Sequence, residues 1–276
     1  MMKQSILLLL LLIVFKSNAQ SYSKDEVDSL ISINPSFTIH KDNYIITGVP
    51  TNKEINSNTA DIKYQISFKQ LVSRKPIIWD AYFYLAYTQK AFWNIYEFSS
   101  PFEELNFNPA FGLAKVIYNK NAHVKGLASI MFNHNSNGRD SIYSRSWNSI
   151  NFKYSTALND KTLLSAEVWA PFSYKEGNPD LLDYIGLTGV TVSRDLKGDK
   201  LILEVEVKKG LEWDWKGSLR TRLYYNPFKT KNQYLMLEWY AGYAESLIDY
   251  DVFTSMVRIG FVIKTNELNF LKPKEK

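Results

Sequence analysis

The 276-residue chain contains no cysteine. That absence excludes disulfides, thiolate metal sites and cysteine nucleophiles together. Histidine is scarce: only His40, His123 and His134 occur, so imidazole chemistry has a short candidate list. No sign of charge is concentrated. Lys+Arg number 33 against 28 Asp+Glu, and the basic residues are scattered along the chain. The clustered basic face of a nucleic-acid binder is therefore missing. A mean hydropathy of −0.25 argues against a bundle of transmembrane helices.

Long apolar runs are absent except for one. Residues 1–20 read MMKQSILLLLLLIVFKSNAQ. Lys3 gives a positive start, residues 6–15 are all apolar, and Ser17-Asn18-Ala19 follows with small residues. This pattern predicts a signal peptide over residues 1–19, cut after Ala19. A spanning helix needs roughly 20 apolar residues, so the run is too short for an anchor. The predicted mature chain is exported.

What the chain has in quantity is aromatic: 18 Tyr, 16 Phe and 7 Trp make up 15% of it. So many rings must be buried in a core or in lipid, which excludes disorder. Residues 20–40 form a polar, mixed arm with one short helix near 24–31. After that the period becomes two. Ile62, Tyr64, Ile66 and Phe68 alternate with Lys63, Gln65, Ser67 and Lys69. A strand separates these sets onto opposite faces, whereas a 3.6-residue period would mix them. The same alternation recurs over 77–93, 200–208, 219–225, 233–242 and 255–264. Eleven such segments follow residue 60, and 43–49 makes twelve.

Segments of about ten residues with one apolar and one mixed face suit a transmembrane β-barrel. A soluble sandwich also alternates, with its apolar face inward. The barrel is favoured because soluble strands are usually shorter and because aromatics gather near segment ends. Short connections such as 119–121 and 159–161 alternate with longer polar ones such as 99–109 and 174–179, as periplasmic turns and outer loops do. The expected fold is all-β, a twelve-stranded antiparallel transmembrane barrel over 41–270, in the outer membrane, with a charged tail over 271–276.

The informative stretch is 133–148, NHNSNGRDSIYSRSWN. Val124, Gly126, Ala128, Ile130 and Phe132 share one parity, which continues to His134 and Ser136. Ile150, Phe152 and Tyr154 form the apolar face of the next strand, and Asn148 shares it. A hairpin centred near Ser141 sets His134 opposite Asn148. A hydroxyl, an imidazole and an amide on one face suffice for nucleophilic catalysis: Ser136 attacks, His134 takes its proton and Asn148 orients the ring. An uncharged orienter suits an apolar setting, where a buried carboxylate is costly. On parity alone a polar girdle at the rim accounts for the same residues. If the face is catalytic, its substrate is a membrane lipid ester.

The motif Asn133-His134-x-Ser136-Asn137-Gly138-Arg139, followed by Ser144-Arg145-Ser146-Trp147-Asn148, resembles the signature of outer membrane phospholipase A. Tyr87-Thr88-Gln89-Lys90 with Trp93, Ser99-Ser100-Pro101-Phe102, Asn178-Pro179-Asp180 and residues 242–250 (GYAESLIDY) agree in the same order, across residues 38–270. The resemblance implies a twelve-stranded barrel that hydrolyses acyl esters of phospholipids and lysophospholipids (A1 and A2 activity), with calcium and as a homodimer. It implies Ser136 as nucleophile, His134 as base and Asn148 as orienter, and the Gly138 N–H as oxyanion donor. It implies calcium ligands at the Arg139 carbonyl, the Ser144 hydroxyl and, from the partner chain, the carbonyl at the Ser99 position. Gln89 matches a dimer-interface glutamine; contact with lipid headgroups is its other reading.

Two departures stand out. Asp140-Ser141 replaces the Ser-Asp usual after Gly-Arg, and Gly177 replaces the acid before Asn-Pro-Asp, which puts a second calcium site in doubt. Two other readings remain at this point. One is a catalytically silent barrel serving as pore or scaffold. The other is an outer-membrane protease, disfavoured because no acidic dyad accompanies the rim histidine.

Overall fold

The computed structural model describes residues 21–274; the expected signal peptide lies outside them. Helix α1 (Lys24–Ile33) comes first. Ser23 caps it: its hydroxyl accepts from the Glu26 N–H, and the Glu26 carboxylate accepts from the Ser23 N–H at 2.9 Å. The two exchanges satisfy donors that a helix start leaves orphaned. At the other end, the Arg74 guanidinium donates to the carbonyls of Ile31, Ser32 and Asn34.

Thirteen strands follow: β1 (Phe37–Ile39), β2 (Asn43–Pro50), β3 (Asp61–Leu71), β4 (Tyr82–Trp93), β5 (Phe102–Tyr118), β6 (Val124–Ser136), β7 (Ser146–Ala157), β8 (Thr162–Phe172), β9 (Thr188–Asp195), β10 (Leu201–Lys209), β11 (Gly217–Tyr225), β12 (Gln233–Gly242) and β13 (Thr254–Ile263). β2 to β13 each pair antiparallel with their sequence neighbours, and β13 pairs back onto β2. The sheet is a closed twelve-stranded barrel, as the alternation predicted. β1 is the lower part of the first strand, pairing with residues 68–70 of β3 beyond a break at 40–42. One expected boundary moves: 77–93 is not strand throughout. Trp79 and Asp80 both take positive φ, turning the chain tightly between Ile78 and Ala81, and β4 begins at Tyr82.

The two faces differ as the parity demands. Leu85, Phe111, Ile130, Ile150, Phe152, Val207, Leu237 and Ile259 point outward and are each roughly half exposed. A continuous apolar band of this kind is the surface a bilayer covers. No helix among the described residues is long and apolar enough to cross a membrane; strands do so here.

Inward, Tyr44, Ile46, Ile202, Tyr224, Tyr234, Met236 and Val262 pack together. Beside them lies an ion cluster. Lys63 pairs with Glu238 and Glu245, Arg258 grips Asp61 through two contacts of 2.7 and 2.6 Å, and Arg222 donates to Glu238 at 2.8 Å. Gly48 lies between Arg258 and Asp61 in the register. A Cβ there would meet Arg258 Cγ at 2.5 Å, so the missing side chain is what lets the guanidinium cross.

The ends are closed from both sides. Residues 243–250 fold inward: Glu245 joins the ion cluster, and the Ile248 N–H donates to Glu104 at 2.9 Å. Helix α2 (Leu181–Ile185) meets this loop through Tyr184, whose ring packs on Tyr243 and Tyr250. At the other end Val27 of α1 packs with Val116, Val124, Leu163 and Leu271. The start of the expected tail is therefore tied down: Leu271 is 4% exposed, and Lys274 pairs with Glu26.

Candidate active site

β6 and β7 meet with His134 paired to Asn148 and Ser136 paired to Ser146. This is the register of a hairpin centred at 141. His134 Nδ1 and Asn148 Oδ1 are 2.8 Å apart. A carboxamide oxygen only accepts, so Nδ1 carries the proton and Nε2 keeps its lone pair. Both residues are half-buried on the face that carries Ile130, Phe132, Ile150 and Phe152. Ser136 ends β6 on that same face, about 6.7 Å along the strand from His134. Its hydroxyl makes no hydrogen bond among the described residues; contacts of this kind commonly close only around substrate.

Sequence reasoning missed two supporting residues. The first is Asn108. The β5–β6 ladder joins Phe107 to Ser136 and Ala110 to Asn133 but is interrupted between them. Pro109, opposite His134 in that register, has no N–H to give. The Asn108 side chain donates to the His134 carbonyl instead, at 2.9 Å. A proline facing the candidate base was the signal available.

The second is Asn137, which is 4% exposed. Its side-chain oxygen accepts from the Arg145 N–H at 2.9 Å and the Arg139 N–H at 3.3 Å. Its amide donates to the Tyr143 carbonyl at 2.9 Å, and its backbone N–H donates to the Arg145 carbonyl. One buried side chain thus ties the whole 137–145 loop together. Gly138 follows at φ +66, with the Phe107 ring 2.8 Å from where a Cβ would stand. Any side chain there strains the backbone and strikes the ring.

The remaining candidates fall around this loop or beside it. Arg139 donates its guanidinium to the Glu103 carbonyl, which anchors the segment bearing its own carbonyl. Ser144 follows the 3-10 turn Ser141–Tyr143, and its N–H donates to the Ser141 carbonyl. Gly177 has φ +83, and a Cβ there would lie 2.7 Å from the Ser144 carbonyl. An acid at that position would push on the turn, which gives the departure at Gly177 a physical reason. Ser99 lies at the β4–β5 tip, not in this loop. It is exposed at φ +67, beside Ser100 at φ +44, whose carbonyl accepts from the Trp93 indole at 2.8 Å. Gln89 points outward on β4, level with Phe107 and hence two strands from Ser136. That is about 10 Å across the sheet. Among the described residues no cluster of three or more His, Cys, Asp or Glu could hold a metal, so a cation here relies on carbonyl and hydroxyl oxygens.

Fold and site define a class: a membrane β-barrel with a histidine-centred polar site on its outer wall. A profile of the phospholipase A1 family matches residues 22–263, and the chain belongs to that family. Phospholipase A1 of Escherichia coli strain K12 is 30% identical over 219 residues, 77% of this chain and 72% of that one. Among solved structures, the Salmonella typhi outer membrane phospholipase dimer with bound calcium is similar at 25% identity. Its TM-score is 0.73, covering 86% of this chain and 96% of that one. Escherichia coli outer membrane phospholipase A with an active-site asparagine replaced by alanine matches at 25% identity and TM-score 0.73, covering 86% and 98%. The family resemblance drawn from the motifs is borne out.

Proposed function

We propose that this chain is a calcium-dependent phospholipase of the outer membrane that cleaves acyl esters of phospholipids and lysophospholipids, at either chain position, as a homodimer. The observation that carries the reading is the His134–Asn148 hydrogen bond on the lipid-facing wall. An oriented imidazole there meets acyl chains, and little else in a bilayer offers an ester.

In this reading Asn148 holds His134 with Nε2 towards Ser136. Nε2 removes the Ser136 proton as Oγ attacks the ester carbonyl carbon. The bond from that carbon to the glycerol oxygen breaks, and the imidazolium returns the proton to the departing oxygen. Water, deprotonated by Nε2, then attacks the acyl-serine. The fatty acid leaves and Oγ recovers its proton, so each turnover consumes one water. The Gly138 N–H donates to the oxyanion in both halves. The Arg139 carbonyl and Ser144 hydroxyl suit a hard cation, and both are neutral, so an added carbonyl from the partner's Ser99 makes the site depend on pairing. A calcium ion held there supplies positive charge beside the developing oxyanion. Gln89 pairs the protomers, since an amide facing lipid is best satisfied by another protein surface.

Fatty-acid release from mixed phospholipid micelles tests this. Wild type should be active with calcium and silent with EDTA. Ser136→Ala should lose at least ~10³-fold in kcat. Equal rates for wild type and Ser136→Ala would end the enzyme reading and leave the silent barrel. Ser144→Ala should raise the calcium concentration required. Chemical crosslinking should increase with calcium and weaken in Gln89→Ala; indifference to both would reject control by dimerisation.

A further inference from the structure

We propose that the barrel lumen contains a binding site for a small oxyanion of phosphate chemistry, in a cavity whose wall carries Lys41, Lys90 and Lys153. The site does not rest on the phospholipase reading.

A cavity of about 500 Å³ occupies the lumen, lined from residues 40–44 at the start of β2 around to β11, by the inward loop after β12 and by the segment after β13. Its wall holds nine lysine and arginine side chains against six carboxylates. Most of the cations are matched. Lys69 pairs with Glu267, Arg220 and Lys208 with Glu206, Arg222 and Lys264 with Glu204, and Lys272 with Asp199. Three are not. Among the described residues the ammonium groups of Lys41 and Lys153 have no hydrogen-bond or ion-pair partner, and Lys90 has no carboxylate partner: it donates to the Glu245 backbone carbonyl at 3.1 Å and lies 5.8 Å from the centre of the Phe92 ring. The acids that could answer them are engaged elsewhere. Glu167 accepts from Asn151 at 2.6 Å, and Asp42 accepts from Tyr224 and from the Thr265 N–H, each at 2.8 Å.

A second observation points the same way. The same cavity is lined by His40 and Tyr44, and His40 Nδ1 and the Tyr44 hydroxyl are buried with no partner among the described residues. Tyr44 as a residue is 5% exposed. Cations without carboxylate partners, a free phenol donor and an unpartnered imidazole nitrogen around one polar cavity are complementary to an anion with several acceptor oxygens. Chloride offers charge without directed acceptors, whereas phosphate offers both. The cavity also reaches Asn108 and Asn135, the inward residues directly behind His134. Phosphate chemistry can come from free phosphate or from the phosphodiester of a deacylated headgroup.

The test uses the full-length barrel in maltoside micelles free of phosphate. Thermal unfolding is followed while inorganic phosphate, glycerophosphoethanolamine or sodium chloride is added at matched ionic strength. Phosphate, the diester or both should raise Tm saturably, by about 5 °C near a hundredfold excess over Kd. Saturation by the first alone assigns free phosphate, and by the second alone a headgroup product. Lys90→Gln and Lys153→Gln should each raise the half-saturating concentration at least tenfold; Lys197→Gln, in the turn after β9, should not. Coincident curves for all three solutes, which wild type alone can reveal, would overturn the proposal. So would an unchanged midpoint in a folded Lys153→Gln barrel.

Discussion

Two halves of the same barrel are built differently. β4 to β8 run 12, 17, 13, 12 and 11 residues, whereas β9, β10 and β11 run 8, 9 and 9. A nine-residue strand tilted by about 40° rises roughly 23 Å, close to the apolar band of such barrels, while β5 rises roughly 44 Å. The short half therefore ends near the membrane surface. The long half extends past it, and the outward face of its rim carries His134 and Ser136. The lumen differs in parallel. Beside the short strands it is cross-linked by Lys63, Glu238, Arg222 and Arg258, whereas behind the site it is lined by uncharged polar side chains, Asn108, Asn135 and the Ser149–Asn151 pair at 2.6 Å. Rigidity and chemistry are allotted to different walls, so each can be perturbed without the other.

The largest effect expected on the charged wall is from Glu238→Leu. It leaves Lys63 and Arg222 short of a partner in a site where Glu238 is fully buried. The loss should be about 3–5 kcal/mol, read as an earlier denaturation midpoint. Specific activity of the molecules that remain folded should be unchanged; a drop there would mean the walls are coupled. Asn137→Ala should invert the pattern. Stability should fall by only about 1–2 kcal/mol, but the calcium concentration for half-maximal activity should rise at least tenfold, because the 137–145 loop loses its tie. Calcium dependence identical to wild type would show that the loop holds its shape without that side chain.

Asn108→Ala probes the site from behind. It strips the His134 carbonyl of its donor and should slow kcat by about tenfold with KM little changed. Asn106→Ala, whose amide binds Glu104 at 2.7 Å, is the control that should leave kcat alone. The smallest effect is in neither wall. Glu26 is held down to about 2 by Lys274 and by the Ser23 N–H. A carboxylate lowered from its usual range adds stability that is full above about pH 4.5 and is lost as pH falls towards 2. Docking of α1, followed by protease sensitivity of the N-terminal segment, should weaken in that window, and less so in Glu26→Gln.

The sequence made the barrel legible because alternation is a local property. Each strand announces its faces without reference to its neighbours, and the facing of His134 and Asn148 followed from parity plus one hairpin centre. What stayed hidden depends on partners distant in sequence. Asn108 matters only because Pro109 meets His134 across a ladder, and Asn137 only because the loop folds back on it. Gly177 looked like a lost ligand until the place a Cβ would take there was found 2.7 Å from the Ser144 carbonyl oxygen. The early part of 77–93 is an apolar run, Ile77-Ile78-Trp79, that reads as a continuation of the strand, yet two positive φ values at Trp79 and Asp80 turn it, and neither residue is a glycine that would have marked the turn.

The break at 40–42 has a consequence for how the cylinder is sealed. The seam between first and last strands runs only from Pro50–Met256 down to Asn43–Ile263. Below it the chain has turned aside, and the Asp42 carboxylate takes the Thr265 N–H at 2.8 Å in place of a backbone carbonyl. Until those two strands meet, both offer unpaired amides to any passing sheet. Asp42 is thus the clasp at the bottom of the zip: a single acidic side chain finishes a closure that main-chain atoms begin.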